Sequence, residues 1–151
     1  DVFDGERARN TLIVSPTGCG KTTLLRELAR IGSKWFNVVV IDERYELCAV
    51  SDGVPILDIG DCDVVSGVPK TDAYESWAMN PDIIVTDELF GKEDVKAISD
   101  VVRCGVSVFA SLHGESIKSV EKSDFAPLLD VFEVVCVLGR NPVGEIVEKR
   151  V

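Results

Sequence analysis

The stretch Thr11-Leu12-Ile13-Val14-Ser15-Pro16-Thr17-Gly18-Cys19-Gly20-Lys21-Thr22-Thr23-Leu24-Leu25 restricts this chain more than any other. It reads as a buried strand, a tight glycine loop and the start of a helix. A phosphate chain needs several backbone N–H groups converging on its oxygens. Gly18 and Gly20 let the loop turn where a Cβ would obstruct it. Lys21 supplies a cation, Thr22 places a hydroxyl where Mg²⁺ is held, and the helix N-terminus adds its partial positive charge. The spacing is that of the P-loop, G-x-x-x-x-G-K-[S/T], with Ser15 in place of the first glycine. Pro16, Thr17, Gly18, Cys19, Gly20, Lys21, Thr22 and Thr23 are therefore the candidate phosphate-binding residues.

A chain of 151 residues suffices for one domain with a central sheet covered by helices. The net charge of −10 argues against a broad nucleic-acid-binding face, which needs clustered basic residues, and implies repulsion from an anionic membrane. The five cysteines are odd in number and lack C-x-x-C spacing, so they are expected to be small reduced core residues of a cytosolic protein. No apolar run approaches the ~20 residues of a membrane span, and no signal-like segment is present.

After the loop, Leu24, Leu25, Leu28 and Ile31 recur at helical spacing, and Gly32 is expected to end that helix. Phe36 to Asp42 is a β-branched run of the kind a parallel strand buried on both faces requires. It delivers Asp42-Glu43-Arg44 to the carboxyl end of the sheet, where open α/β folds bind ligands. Glu43 is a candidate to orient or deprotonate a water, and Arg44 to reach a phosphate or a neighbouring subunit. Charged residues also follow many strands as solvated loop. Ser51 to Lys70, punctuated by Gly and Pro, reads as loops with one or two short strands. Thr71 to Met79 reads as a helix capped by Thr71, with Tyr74 and Trp77 on one side as packing residues.

Asn80-Pro81 breaks the chain before Asp82-Ile83-Ile84-Val85-Thr86-Asp87-Glu88, an apolar strand ending in two acids. Beside a P-loop, Asp87 is expected to accept a hydrogen bond from Thr22 or the Mg²⁺ shell, and Glu88 to polarise the attacking water. Asp94 to Cys104 is helical in spacing and Gly105 closes it. Val106 to Leu112 is the next strand and brings His113, the only histidine, to the same edge. His113 is a candidate sensor of the γ-phosphate, although a lone histidine is commonly a packed or solvated residue. A short helix over Ser116 to Lys122, capped at Glu115 or Ser116, and an apolar turn over Phe125 to Leu129 follow. Strands over Val131 to Leu138 and Glu145 to Val151 are expected to form an antiparallel hairpin at one sheet edge. Arg140, at its turn, is a candidate contact to another subunit.

This order of signals resembles the RecA-like branch of P-loop NTPases, and within it the secretion and pilus-retraction ATPases. It most resembles the ATPase domain of the stage III sporulation protein AA family. Asn10 to Leu25, Ile41-Asp42-Glu43-Arg44, Gly67-Val68-Pro69-Lys70, Asp82 to Glu88, Lys92-Glu93-Asp94 and Leu112-His113-Gly114 carry that resemblance. It implies a single RecA-like domain over residues 1–151, the C-terminal part of a longer protein. It further implies a homo-hexamer that binds ATP or ADP with Mg²⁺ and hydrolyses ATP to energise a secretion-like channel during sporulation. Such a motor would be cytoplasmic, peripheral to the membrane on the mother-cell side, and partnered by membrane-embedded channel components, with no direct nucleic-acid ligand. Two positions depart from the family pattern: Asp61 and Gly91 stand where relatives tend to carry arginine. A nucleotide-binding scaffold without turnover therefore stays open, as do a RecA-like DNA translocase and, more distantly, a small kinase.

Overall fold

The computed structural model describes residues 2–151, apart from the side chains of residues 76–78. The expectation for Trp77 lies outside the described residues. The chain builds β1 (Thr11–Ser15), α1 (Lys21–Gly32), β2 (Val38–Asp42), a small hairpin of β3 (Val50–Ser51) and β4 (Val54–Pro55), then β5 (Asp63–Ser66) and α2 (Lys70–Ala73). It continues through β6 (Ile83–Thr86), α3 (Gly91–Arg103), β7 (Ser107–His113), α4 (Ile117–Glu121), β8 (Val134–Arg140) and β9 (Val143–Arg150). Short 3₁₀ helices cover Tyr74–Met79 and Ala126–Asp130.

The main sheet has seven strands in the order β5-β2-β6-β7-β1-β8-β9. Every pairing is parallel except that of β9 with β8. The architecture is thus a mixed α/β sheet with an antiparallel hairpin at one edge, as the sequence predicts. Side chains alternate across each strand, so Leu12 and Val14 point into the layer holding Ile98, Val101, Ile117 and Val120 of α3 and α4. Ile13 points the other way, onto Leu25 and Ala29 of α1. Both faces of the central strands are buried, which is why those strands read as continuous apolar runs.

Gly32 is the last residue of α1, as expected, with Ser33 as its C-cap, and a Cβ there would stand 3.3 Å from the Phe3 ring. Its role is close packing. Several boundaries differ from expectation, each for a local reason. Thr71 does not cap α2, whose N-cap is Pro69. α3 starts at Gly91, before Asp94, because the Asp94 carboxylate accepts the Phe90 N–H at 2.6 Å and closes the first turn from within. Arg140 is the last residue of β8, and the connection is only Asn141-Pro142. Cys19, Cys48 and Cys136 are buried and Cys62 partly so, but Cys104 is exposed at the end of α3. Burial pushes the Cys48 thiol up to about 12 and Cys62 to about 11, which keeps both protonated at neutral pH.

Candidate active site

The carboxyl ends of β1, β2, β6 and β7 lie at one edge of the sheet, and the loops leaving them carry the candidate residues. The P-loop leaves β1 and enters α1 with Gly18 at φ +78° and Gly20 at φ +86°, conformations that side chains with a Cβ rarely adopt. The 12-residue α1 begins at Lys21 and leaves its first amides without helical partners, aimed at the loop. Ser15, where the motif has glycine, is fully buried, and its hydroxyl donates to the Pro16 carbonyl at 2.8 Å. The Lys21 ammonium donates to the Ser15 and Pro16 carbonyls at 3.2 and 3.4 Å. Lys21, Thr22 and Thr23 line a cleft with Thr17, Gly18, Gly20, Glu46, Asp87 and Glu88.

Thr22 joins the loop to β6, donating its hydroxyl to Asp87 Oδ2 at 2.8 Å although 65 residues separate the two. Ser111 Oγ on β7 donates to Asp87 Oδ1 at 2.5 Å and accepts the Glu88 N–H at 2.9 Å. Ser111 was not legible as a site residue. Its signal is the pairing of Thr86 with Ala110, which sets Ser111 beside Asp87. Glu88 takes φ +35°, turning the chain off the line of β6, and its carboxylate meets Arg44 Nη1 at 3.1 Å. Arg44 therefore contacts Glu88 of its own chain. Glu43 is exposed and lines a neighbouring cleft with Arg44, Lys70, Asp87 and Glu88.

Asp42 has a structural part. Its carboxylate, 2% exposed, accepts the N–H groups of Glu46, Leu47 and Cys48 at 2.8–3.1 Å and folds the loop after β2. Asp42→Ala should cost about 3 kcal/mol of stability or more, because buried donors lose their partner. Urea unfolding measures this, and a loss under about 1 kcal/mol would show that the loop satisfies those amides by another route.

Lys70 is brought in by β5, the strand beyond β2. Gly67 takes φ +70° after β5, and a Cβ there would collide with the Tyr45 hydroxyl, so only glycine admits this approach. Lys70 Nζ then reaches the backbone carbonyls of both Asp87 and Glu88. Burial pushes its ammonium pKa down, opposed by the carboxylates of Asp94, Glu43 and Asp87. His113 ends β7 opposite Ser15 of β1, exposed beside the P-loop. Gly114 donates its N–H to the Ser15 carbonyl at 3.2 Å, which ties the histidine strand to the loop. On the other flank Arg140 Nη2 donates to the Thr17 carbonyl at 3.3 Å, so the hairpin also leans on the loop.

Among the described residues no cluster of His, Cys, Asp and Glu forms a self-sufficient metal site. Mg²⁺ normally completes its shell with water and substrate phosphates, and the donor set of Thr22 hydroxyl and Asp87 carboxylate fits that mode. The positive-φ glycines, the free helix amides and Lys21 likewise fit a phosphate chain. No helix among the described residues is long and apolar enough to cross a membrane.

Comparison with known proteins places this fold. In solved structures the fold recurs in the VirB11 ATPase of the Brucella suis type IV secretion system in complex with sulphate. The TM-score is 0.69 at 21% identity, covering 93% of this chain and 47% of that one. It recurs in the pilus retraction motor PilT with bound ADP, with a TM-score of 0.65 at 16% identity, covering 85% and 42%. The fold is therefore RecA-like. Stage III sporulation protein AA of Bacillus subtilis (strain 168) is 36% identical over 122 residues, which are 75% of this chain and 40% of that protein. The family model described as "Sporulation stage III, protein AA" matches residues 1–147, and the chain belongs to that family.

Proposed function

We propose that this chain is the ATP-hydrolysing motor domain of a secretion-like apparatus that acts during sporulation. The observation that carries the reading is the Thr22 to Asp87 hydrogen bond at 2.8 Å, which joins the P-loop to the acidic end of β6. Lys21 and the amides of Gly18 to Thr22 bind the β- and γ-phosphates. Thr22 and Asp87 hold Mg²⁺, which supplies neutralisation of charge on the transferring phosphoryl group. Glu88 orients and polarises the attacking water, with Glu43, in the neighbouring cleft, as the alternative or partner carboxylate. His113, hydrogen-bonded through its strand to the loop, relays the state of the γ-phosphate. The secretion-ATPase fold and the sporulation family support a homo-hexamer working on membrane-embedded channel components from the cytoplasmic, mother-cell side. Arg44 and Arg140 have partners within their own chain, and both stand at the rim, where a neighbouring subunit would meet them.

The test is phosphate release from ATP and Mg²⁺ over a wide range of protein concentration. Turnover per subunit that rises with concentration is expected of a motor completed between neighbours. Tight nucleotide binding without phosphate at any concentration overturns hydrolysis and leaves the nucleotide-binding scaffold, the reading that Asp61 and Gly91 in place of family arginines would favour.

A further inference from the structure

We propose that Lys70 is a positioning residue for the hydrolytic carboxylate, acting by clamping the backbone carbonyls of Asp87 and Glu88. The inference rests on the ATPase reading of the site and assigns a role to a residue that does not line the P-loop cleft and whose ammonium is spent on two backbone carbonyls.

Glu88 holds a backbone angle of φ +35°. For a residue with a Cβ, that region is disfavoured by about 1 kcal/mol or more, so it persists only where neighbours enforce it. The neighbours are visible. The N–H groups of three consecutive residues are taken: Glu88 by Ser111 Oγ, Leu89 by the Ser111 carbonyl at 2.8 Å, and Phe90 by Asp94 Oδ2 at 2.6 Å. Those contacts fix the donors of the segment from the β7 and α3 sides. Among the described residues, the acceptors are fixed by one group, the Lys70 ammonium, which bridges the carbonyls of Asp87 and Glu88. An ammonium carries three donors around one atom and suits this bridge better than a planar fork.

The cost of bringing Lys70 here argues that its position is selected by the site. The side chain is largely buried, and burial disfavours its charge. Gly67 must adopt a left-handed turn beneath the Tyr45 hydroxyl to aim α2 at β6. A lysine needed only for solubility would remain in water. With the carbonyls clamped, the Glu88 carboxylate leaves the strand in one direction, toward Arg44 and the P-loop cleft. Without the clamp, the peptide between Asp87 and Glu88 is held on its N–H side only, and the carboxylate loses its aim while Thr22, Asp87 and Lys21 keep their contacts.

The experiment compares the full chain with Lys70→Met, which keeps most of the apolar stem of the side chain and removes its donors. Two readouts are taken: amide hydrogen exchange of the peptide spanning residues 87–90, and kcat and KM for ATP with Mg²⁺. Exchange in that peptide is expected to accelerate about tenfold, with the Ile83–Thr86 amides of β6 unchanged. kcat is expected to fall roughly 10- to 30-fold with KM within about threefold, the split expected of lost alignment at the reacting atoms. Lys70→Ala, assayed with and without added ethylammonium, is the second variant. Partial recovery of kcat by the small cation is expected, and a lesion of packing would not recover. Unchanged exchange at 87–90 overturns the clamp, and accelerated exchange with unchanged kcat overturns its catalytic purpose. If the wild-type chain itself releases no phosphate, the ATPase reading falls, and the exchange comparison alone decides the clamp.

Discussion

Lys21→Ala is expected to weaken binding of ADP and ATP at least about 100-fold, equivalent to about 2.8 kcal/mol. Lys21 carries the cation of the phosphate cleft, held 3.2 Å from the Ser15 carbonyl. A phosphate oxygen offers that ammonium a charge-assisted hydrogen bond, worth roughly twice a neutral one. Alanine cannot replace that bond, and the loop amides remain as the main source of attraction. The fold should survive, because alanine at the first position of α1 is a strong helix former and Leu25 and Ala29 still anchor the helix to the sheet. Calorimetric titration of ADP into wild type and variant at one salt concentration measures the loss. Affinities within about threefold of each other would place the phosphates somewhere other than this loop.

The parts of the site that were legible in the sequence are those encoded locally. The P-loop is one continuous stretch, and its glycines announce their backbone angles. Asp87-Glu88 stands out because it ends an apolar run, and β6 is apolar because both its faces are buried. The sheet-edge hairpin was legible because two β-propensity runs flank a short turn. The contacts that give these residues geometry were not legible, because they depend on strand order. Lys70 is 18 residues from Glu88 and Arg44 is 44 residues from it, and both meet it only because β2 lies next to β6 and β5 lies next to β2 in the order β5-β2-β6. Strand β5 was expected only as one of one or two short strands somewhere within Ser51 to Lys70, and it could not be located more closely for a physical reason. As an edge strand it is only partly buried, so Asp63-Val64-Val65-Ser66 lacks the apolar run of its neighbours. Asp42 shows the opposite failing. A charge at the end of a strand points toward the ligand edge by rule, yet here the carboxylate is spent on three amides of its own loop.

Those contacts separate binding from chemistry, which yields the second large effect: Glu88→Gln is expected to lower kcat roughly 10²- to 10⁴-fold, the usual worth of a general base. Nucleotide affinity should stay within about threefold, because Lys21, the loop amides and the Thr22–Asp87 pair are untouched. Glutamine keeps the length and shape of the side chain, and the backbone at Glu88 remains held by Ser111 and Lys70. The amide can still accept from Arg44 but cannot take a proton from water. Single-turnover phosphate release, with protein in excess over ATP, isolates the chemical step from product release. The same measurement on Glu43→Gln apportions the proton chemistry. If Glu43→Gln abolishes release and Glu88→Gln leaves it within about threefold of wild type, the two carboxylates exchange roles. Glu88, paired with Arg44, would then serve to hold that arginine at the cleft.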